Sequence, residues 1–229
     1  MRQTVHLAAL MSLTLIALLG ACAPQMGLGR ADTLAPGASR AALGLDVTLL
    51  SPKITDGDPT QLPYLLFVGT YHRGIVRHLE LGGRLYGAGI SGLGGWGAGI
   101  DLKWQYVDQH AWEAALVVSA GYHEVRLGGT PYWCPNAALT GLFGWNLGAH
   151  QLVLGPRFAL AAWDSDGQNT IALYGFGAVA GMHFRAGRWD IPVELAFTWS
   201  PVEFNGEVSA QDRVGAGVLT LGLSGAYRF

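Results

Sequence analysis

The sequence predicts an all-β protein, a closed antiparallel barrel of about eight to ten strands that crosses a membrane. Three observations predict it. Strand-length blocks alternate apolar and polar residues with a period of two. Aromatic residues gather at the ends of those blocks in two levels. Connections alternate between short and long.

The alternation is clearest in "WGAGIDLKWQYV", Trp96 to Val107. Trp96, Ala98, Ile100, Leu102, Trp104 and Tyr106 share one face, and Gly97, Gly99, Asp101, Lys103 and Gln105 share the other. Successive strand side chains point to opposite faces, so this is one wide apolar face and one cramped polar face. In order, the blocks are Ala41–Leu50, Tyr64–His72, Leu79–Ile90, Gly95–Tyr106, Trp112–Tyr122, Ala137–Leu147, Gln151–Trp163, Thr170–Phe184, Trp189–Trp199 and Val214–Phe229. Each is near the length of a tilted transmembrane strand. Trp189–Trp199 sets Trp189, Ile191, Val193, Leu195, Phe197 and Trp199 against Asp190, Pro192, Glu194, Ala196 and Thr198.

Tyr106, Trp112, Trp145, Phe184, Trp189, Tyr227 and Phe229 fall at one level of the expected barrel. Tyr122, Trp163, Tyr174 and Trp199 fall at the other, where Trp96 also opens its block. Amphipathic rings favour the membrane interface, and a dry core has no reason to sort them into two rings. The short connections are Val107–Ala111, Gly148–His150 and Ala186–Arg188. The long ones are Ser51–Pro63, His123–Asn136, Asp164–Asn169 and Ser200–Arg213, with Ser91–Gly94 an unexpectedly short hairpin among them. Outer-membrane barrels pair short periplasmic turns with long external loops. The wide apolar face is therefore expected to meet lipid and the Asp101/Lys103 face to line the lumen.

Composition agrees. Of 229 residues, half are apolar and 13% are charged, below the usual quarter, and 34 are glycine. Mean hydropathy is +0.28. The net charge of −2 offers no basic patch, so nucleic acid is not an expected partner.

Residues 1–21 read as a signal segment. Arg2 gives the positive start, and Leu7–Leu19 is an apolar run too short to span a bilayer. It ends in Leu19-Gly20-Ala21-Cys22, which resembles the lipobox of bacterial lipoproteins. The resemblance implies acylation of Cys22 by lipoprotein-processing enzymes. Ala23 stands where aspartate retains lipoproteins at the inner membrane, so it also implies the outer membrane. The rival is ordinary cleavage after Ala21-Cys22-Ala23, with Pro24 awkwardly beyond the scissile bond. Residues 22–40, rich in Ala, Gly and Pro, read as a lipidated N-terminus and flexible tether, and 41–229 as the barrel.

The chain ends in "GAYRF". Tyr227 and the terminal Phe229 resemble the assembly signal of small Gram-negative outer-membrane β-barrels, although Ser224 replaces the usual upstream glycine. That resemblance covers residues 41–229. It implies insertion by the barrel-assembly machinery, a surround of outer-membrane lipid, and an N-terminus on the periplasmic side. It does not fix a function.

The inward charges are the candidate site: Glu80, Arg84, Asp101, Lys103, Glu113, Arg157 and Glu194. They read first as a paired network filling a narrow lumen, and second as a pore lining. Inward Gly97, Gly99, Gly175, Gly177 and Gly181 leave room for a narrow water path. Counting from the turns sets Gly177 opposite Arg157 and near Ala196, so an Arg157–Glu194 interaction is expected across it.

Catalysis, metal and cofactor find little support. Ser119 and His123 share a strand face but stand roughly 13 Å apart along it. "DSDGQNT", Asp164 to Thr170, lacks the glycine and glutamate of a calcium loop, and "TDGDPT" reads as a turn too. Cys134, in the expected external loop "TPYWCPN", has no basic neighbour to activate it. The expected function is a non-catalytic barrel with a structural or narrow-pore role. The alternatives are an outer-membrane lipid-modifying enzyme and a periplasmic lipocalin-like ligand-binding lipoprotein.

Overall fold

A computed structural model of the chain describes residues 27–52, 62–90, 93–127, 130–164, 170–202 and 214–229. The strands are β1 (Ser39–Pro52), β2 (Leu62–Val76), β3 (Leu79–Ile90), β4 (Leu93–Asp108), β5 (Trp112–Leu127), β6 (Thr130–Leu147), β7 (His150–Asp164), β8 (Thr170–Ala186), β9 (Trp189–Val202) and β10 (Val214–Arg228). Each pairs antiparallel with its chain neighbours, and β10 closes on β1 through the register Ala41↔Tyr227. Closure satisfies the backbone of every strand within one sheet, the condition for a sheet to stand in lipid. This is the expected closed barrel, at the upper end of the expected strand number.

The two faces separate as the alternation requires. Outside, Leu43, Phe67, Leu85 and Ile100 are each more than 60% exposed. Such a surface is stable only where the solvent is itself apolar. Inside, Asp101, Lys103 and Gln105 are each no more than 6% exposed. The opening pattern "WGAGIDLKWQYV" thus faces lipid with its wide side.

Aromatic rings band both ends. At the end carrying the short turns, Tyr227 lies 5.1 Å from Trp189 and 6.4 Å from Phe229, ring centre to ring centre. Trp112 pairs with Trp145, Tyr106 packs on Trp104, and Phe184 meets His150. At the other end Tyr122 stacks on Trp133 at 4.9 Å, and Trp96 donates from Nε1 to Glu124 at 3.2 Å. Tyr174 packs edge-on to Phe176, which lies opposite Trp199. Trp163 belongs to β7, but its side chain lies outside the described residues.

One stretch differs from expectation. Residues 123–136, read as a long external loop, are largely strand: β5 runs on to Leu127 and β6 begins at Thr130. The lipid-facing pattern fades beyond the bilayer, while the backbone ladder continues, with Cys134 opposite His123. Cys134 is therefore a fully buried inward side chain of β6 and not a loop thiol. The signal segment, Cys22, "TDGDPT" and residues 165–169 of "DSDGQNT" lie outside the described residues.

Candidate functional site

The inward residues do not face an empty lumen. Residues 27–38, expected as part of a flexible tether, turn back into the barrel instead. Ser39 and Phe229 exchange backbone hydrogen bonds at 2.9 and 3.0 Å, which fixes the start of β1 at the short-turn end. Just before it, Ala38 N donates to Ala35 O at 3.0 Å and Gly37 N to Gly74 O at 2.8 Å. Gly37 has φ 83°, the left-handed conformation that lets the chain reverse. Ala35, Pro36 and Gly37 are exposed, and the chain beyond them is not.

Inside, side chains from separate strands catch the backbone of this plug. Leu34 N donates to Glu80 Oε2 at 3.0 Å, and Thr33 N to Gln105 Oε1 at 3.0 Å. Ala31 N donates to Gln151 Oε1 at 2.8 Å. Glu194 accepts from Gly29 N at 3.3 Å and from Gly27 N at 2.7 Å. A segment that is neither helix nor paired strand cannot satisfy its own N–H groups, and buried N–H groups need partners. These carboxylates and amides supply them. Lys103 Nζ donates to the carbonyl of Arg30 at 3.2 Å.

The plug is also packed. Leu28 and Ala31 join Ala115, Val117, Leu142, Val153, Val179 and Ala196 in one buried apolar cluster. Those six wall residues point inward, where a water-filled lumen would favour polar groups. Gly144 makes room, since a Cβ there would lie 2.8 Å from the Cβ of Ala31. A remaining cavity of about 20 Å³ lies beside Gly27, Asp46 and Glu194, with room for about one water.

Behind the acceptors sits a second layer that aims them. Glu80 Oε1 lies 3.1 Å from Lys103 Nζ, 3.3 Å from Arg40 Nη2 and 2.9 Å from His72 Nδ1. Gln151 Nε2 donates to Glu113 Oε2 at 2.6 Å and to Asn146 Oδ1 at 2.9 Å, which turns its carbonyl toward Ala31. Arg30 donates to Asp32, Ala149 O and Asn146. Arg185 donates to Asp32 at 3.2 Å.

Burial pushes the Asp32 carboxyl up, but Arg30, Lys103, Arg185 and Arg228 outweigh it and hold it below 3.8. A lowered carboxyl stabilises the docked state above its undocked value. That contribution fades as pH falls below about 3.8 and through the lower docked value. The Asp32 contribution to docking is therefore expected to hold from pH 7 to about 4 and to fade in stronger acid. Protease cutting at Leu28 and Leu34, buried while the segment is docked, followed across pH with an acid-tolerant protease, reads this. Unchanged protection at pH 2 would contradict it.

Further from the short-turn end, Arg84 Nε donates to Asp101 Oδ2 at 2.9 Å and a second Arg84–Asp101 bond closes the pair. Ser119 Oγ donates to Asp101 Oδ1 at 2.6 Å. Ser119 is thus engaged with a carboxylate, while His123 stacks on Tyr86 at 5.1 Å. Among the described residues no cluster of His, Cys, Asp and Glu is placed to hold a metal ion.

The structure brings Glu80 to Lys103 and Arg84 to Asp101, and sets Glu113 behind Gln151. It does not join Arg157 to Glu194. Arg157 donates to Thr140 Oγ1 at 3.4 Å, and Glu194 is taken by the plug. Gly177 does lie opposite Arg157, but it pairs with Thr198, and Glu194 pairs with Gly181. The count from the turn was two residues short, and in a barrel that slip carries two side chains to different heights. The residues that reading missed are Gly27, Leu28, Gly29, Gln105 and Gln151. The inward apolar run Ala115, Val117, Leu142, Val153 was the signal for them.

No family model matches the chain, and no curated protein matches it. Solved structures do match in shape. An outer-membrane channel from Pseudomonas putida F1 superposes with a TM-score of 0.53 at 12% identity, over 90% of this chain and 100% of that one. The outer-membrane protease OmpT from Escherichia coli gives 0.48 at 10% identity, over 87% and 100%. Ail, the attachment invasion locus protein of Yersinia pestis, gives 0.35 at 14% identity, over 85% and 99%. At these identities the likeness with the Pseudomonas channel is one of fold.

Proposed function

We propose that the chain is a Gram-negative outer-membrane barrel whose lumen is a conduit held shut by its own N-terminal segment. One observation carries this reading: residues 27–34 fill the short-turn half of the lumen, with N–H groups of Gly27, Gly29, Ala31, Thr33 and Leu34 held by inward side chains. A merely structural barrel needs no such insert, because its own side chains can fill a lumen this narrow. Here the wall carries acceptors, an apolar seat and Gly144, all fitted to a removable chain. The short turns and the plug belong on the periplasmic side, by the general habit of such barrels. We read the role as non-catalytic, a reading supported by Ser119, the serine sharing a face with His123, being bound to Asp101.

Acylation of Cys22 is the finer part of this reading, supported by Leu19-Gly20-Ala21-Cys22. Mass spectrometry of the mature N-terminus tests it. A diacylglyceryl mass on Cys22 is expected, and an unmodified chain starting at Ala23 or Pro24 would remove the anchor from the account.

Planar-bilayer conductance tests the conduit. The full chain is expected to stay closed. A chain lacking residues 27–34, shown to be folded by its heat-modifiable gel shift, is expected to give discrete open steps. Equal behaviour of the two folded proteins, open or closed, would overturn the proposal.

A further inference from the structure

The plug is held in the manner of a ligand. Its backbone is recognised along its length: Leu34 presents its N–H to Glu80 of β3, and Gly27, Gly29, Ala31 and Thr33 each present an N–H to a further side-chain acceptor. The further acceptors, Glu194, Gln151 and Gln105, stand on β9, β7 and β4. No strand of the barrel pairs with residues 27–34, so nothing in the wall requires this segment to be covalently part of it.

Recognition extends to side chains. Gly27 and Gly29 have φ of 79° and 73°, conformations that L side chains rarely adopt. A Cβ on Gly29 would also sit 2.5 Å from Arg40 Nη2. Leu28 enters the apolar seat with Val153 and Val179. Arg30 reaches Asn146 and the carbonyl of Ala149 at the short-turn end. The sequence fitted by the lumen is therefore Gly-apolar-Gly-Arg with left-handed backbone at both glycines.

The link between this segment and the wall is the exposed turn Ala35–Gly37. That turn contributes an effective concentration and no contact inside the seat. We infer that the lumen is a binding site for a peptide of the Gly-apolar-Gly-Arg type with left-handed backbone at both glycines, and that the chain's own N-terminal segment is its resident, exchangeable ligand. This rests on the reading of the lumen as a plugged conduit and adds what the seat recognises.

The test keeps the full chain through folding. A protease site replaces the exposed turn at Ala35–Gly37, and the barrel is cut after insertion into detergent micelles or vesicles. The released barrel is titrated with a fluorescent synthetic peptide of residues 26–36, followed by anisotropy. Saturable binding is expected, together with displacement of the cut segment. Peptides carrying Gly29→Ala or Arg30→Ala are expected to bind at least tenfold more weakly. A scrambled peptide of the same composition should not bind. Equal binding of the scrambled peptide overturns the inference, because the lumen would then hold any chain. An emptied barrel that conducts but binds no peptide also overturns it, while leaving the conduit reading intact. An emptied barrel that does not conduct fails the conduit reading instead. Because the cut follows folding, a plug needed only for folding does not obscure the result.

Discussion

Replacing Glu80 by alanine is expected to destabilise the barrel by about 3–5 kcal/mol, the cost of leaving a buried charge without its partner. Glu80 is 1% exposed, and one of its oxygens faces Lys103, Arg40 and His72 together. Its other oxygen holds Leu34 N of the plug. Alanine leaves Lys103 and Arg40 buried with no carboxylate between them, and it frees the base of the plug as well. Glu80→Gln keeps the shape and one acceptor oxygen but turns the other position into an N–H donor, so it should cost less than alanine while still leaving one side of the cluster unmet. Adding Lys103→Met to Glu80→Ala should recover part of the loss, because it removes one of the stranded cations. Urea unfolding in lipid vesicles reads all three. A Glu80→Ala cost below about 1 kcal/mol would show that the cluster is hydrated and not the closed network described here.

Leu102→Arg is the second large effect. Leu102 is 44% exposed on the outer face of β4, between Leu81 of β3 and Val118 of β5. Those neighbours are themselves exposed and apolar, so the site lies in the lipid belt. An arginine there is expected to cost about 2–4 kcal/mol, falling to about 0–1 near the interfaces. Leu147→Arg, at the end of β6 beside the short turn, supplies that interfacial control. Equal costs for the two would mean that Leu102 does not face the bilayer interior.

The fold was legible because lipid imposes a strict rule. An outward residue in the belt must be apolar, so the period-two pattern survives from Ala41 to the C-terminus and reveals every strand. The same rule explains what was hidden. Beyond the bilayer no solvent enforces the alternation, and the outer parts of β5 and β6, with Pro131 and Pro135 among them, look like loop. The inward charges were legible as a set, since charge is excluded from the outer face. Their partners were not, because the β8–β9 register lies two residues from the count, and Glu194 stands opposite Gly181, four residues along β8 from the Gly177 that faces Arg157.

The plug was the largest omission. Ala, Gly and Pro are the composition of a linker, and Gly27 and Gly29 look like flexibility. In the lumen they are the residues that fit left-handed backbone against Arg40 and Glu194. The complementary signal lay elsewhere in the chain. Val117, Leu142 and Val153 are inward, and apolar wall residues in a lumen lined with charges imply an apolar occupant.

Whether residues 27–34 occupy the lumen is most directly settled by a disulfide. Ala31→Cys and Gly144→Cys are combined in a Cys22→Ser, Cys134→Ser background, and the protein is folded into vesicles under mild oxidation. A Cβ on Gly144 would lie 2.8 Å from that of Ala31 and 2.7 Å from Gln151 Cδ, so both neighbours must give by about an ångström to reach the roughly 3.5–4.5 Å of a disulfide, and the single variant Gly144→Cys is first checked for retained protease protection of Leu28 and Leu34. Near-complete cross-linking, read by mass spectrometry of the peptide pair, is the expected result. Free thiols at both positions in the folded barrel would contradict the plug and the closed lumen with it.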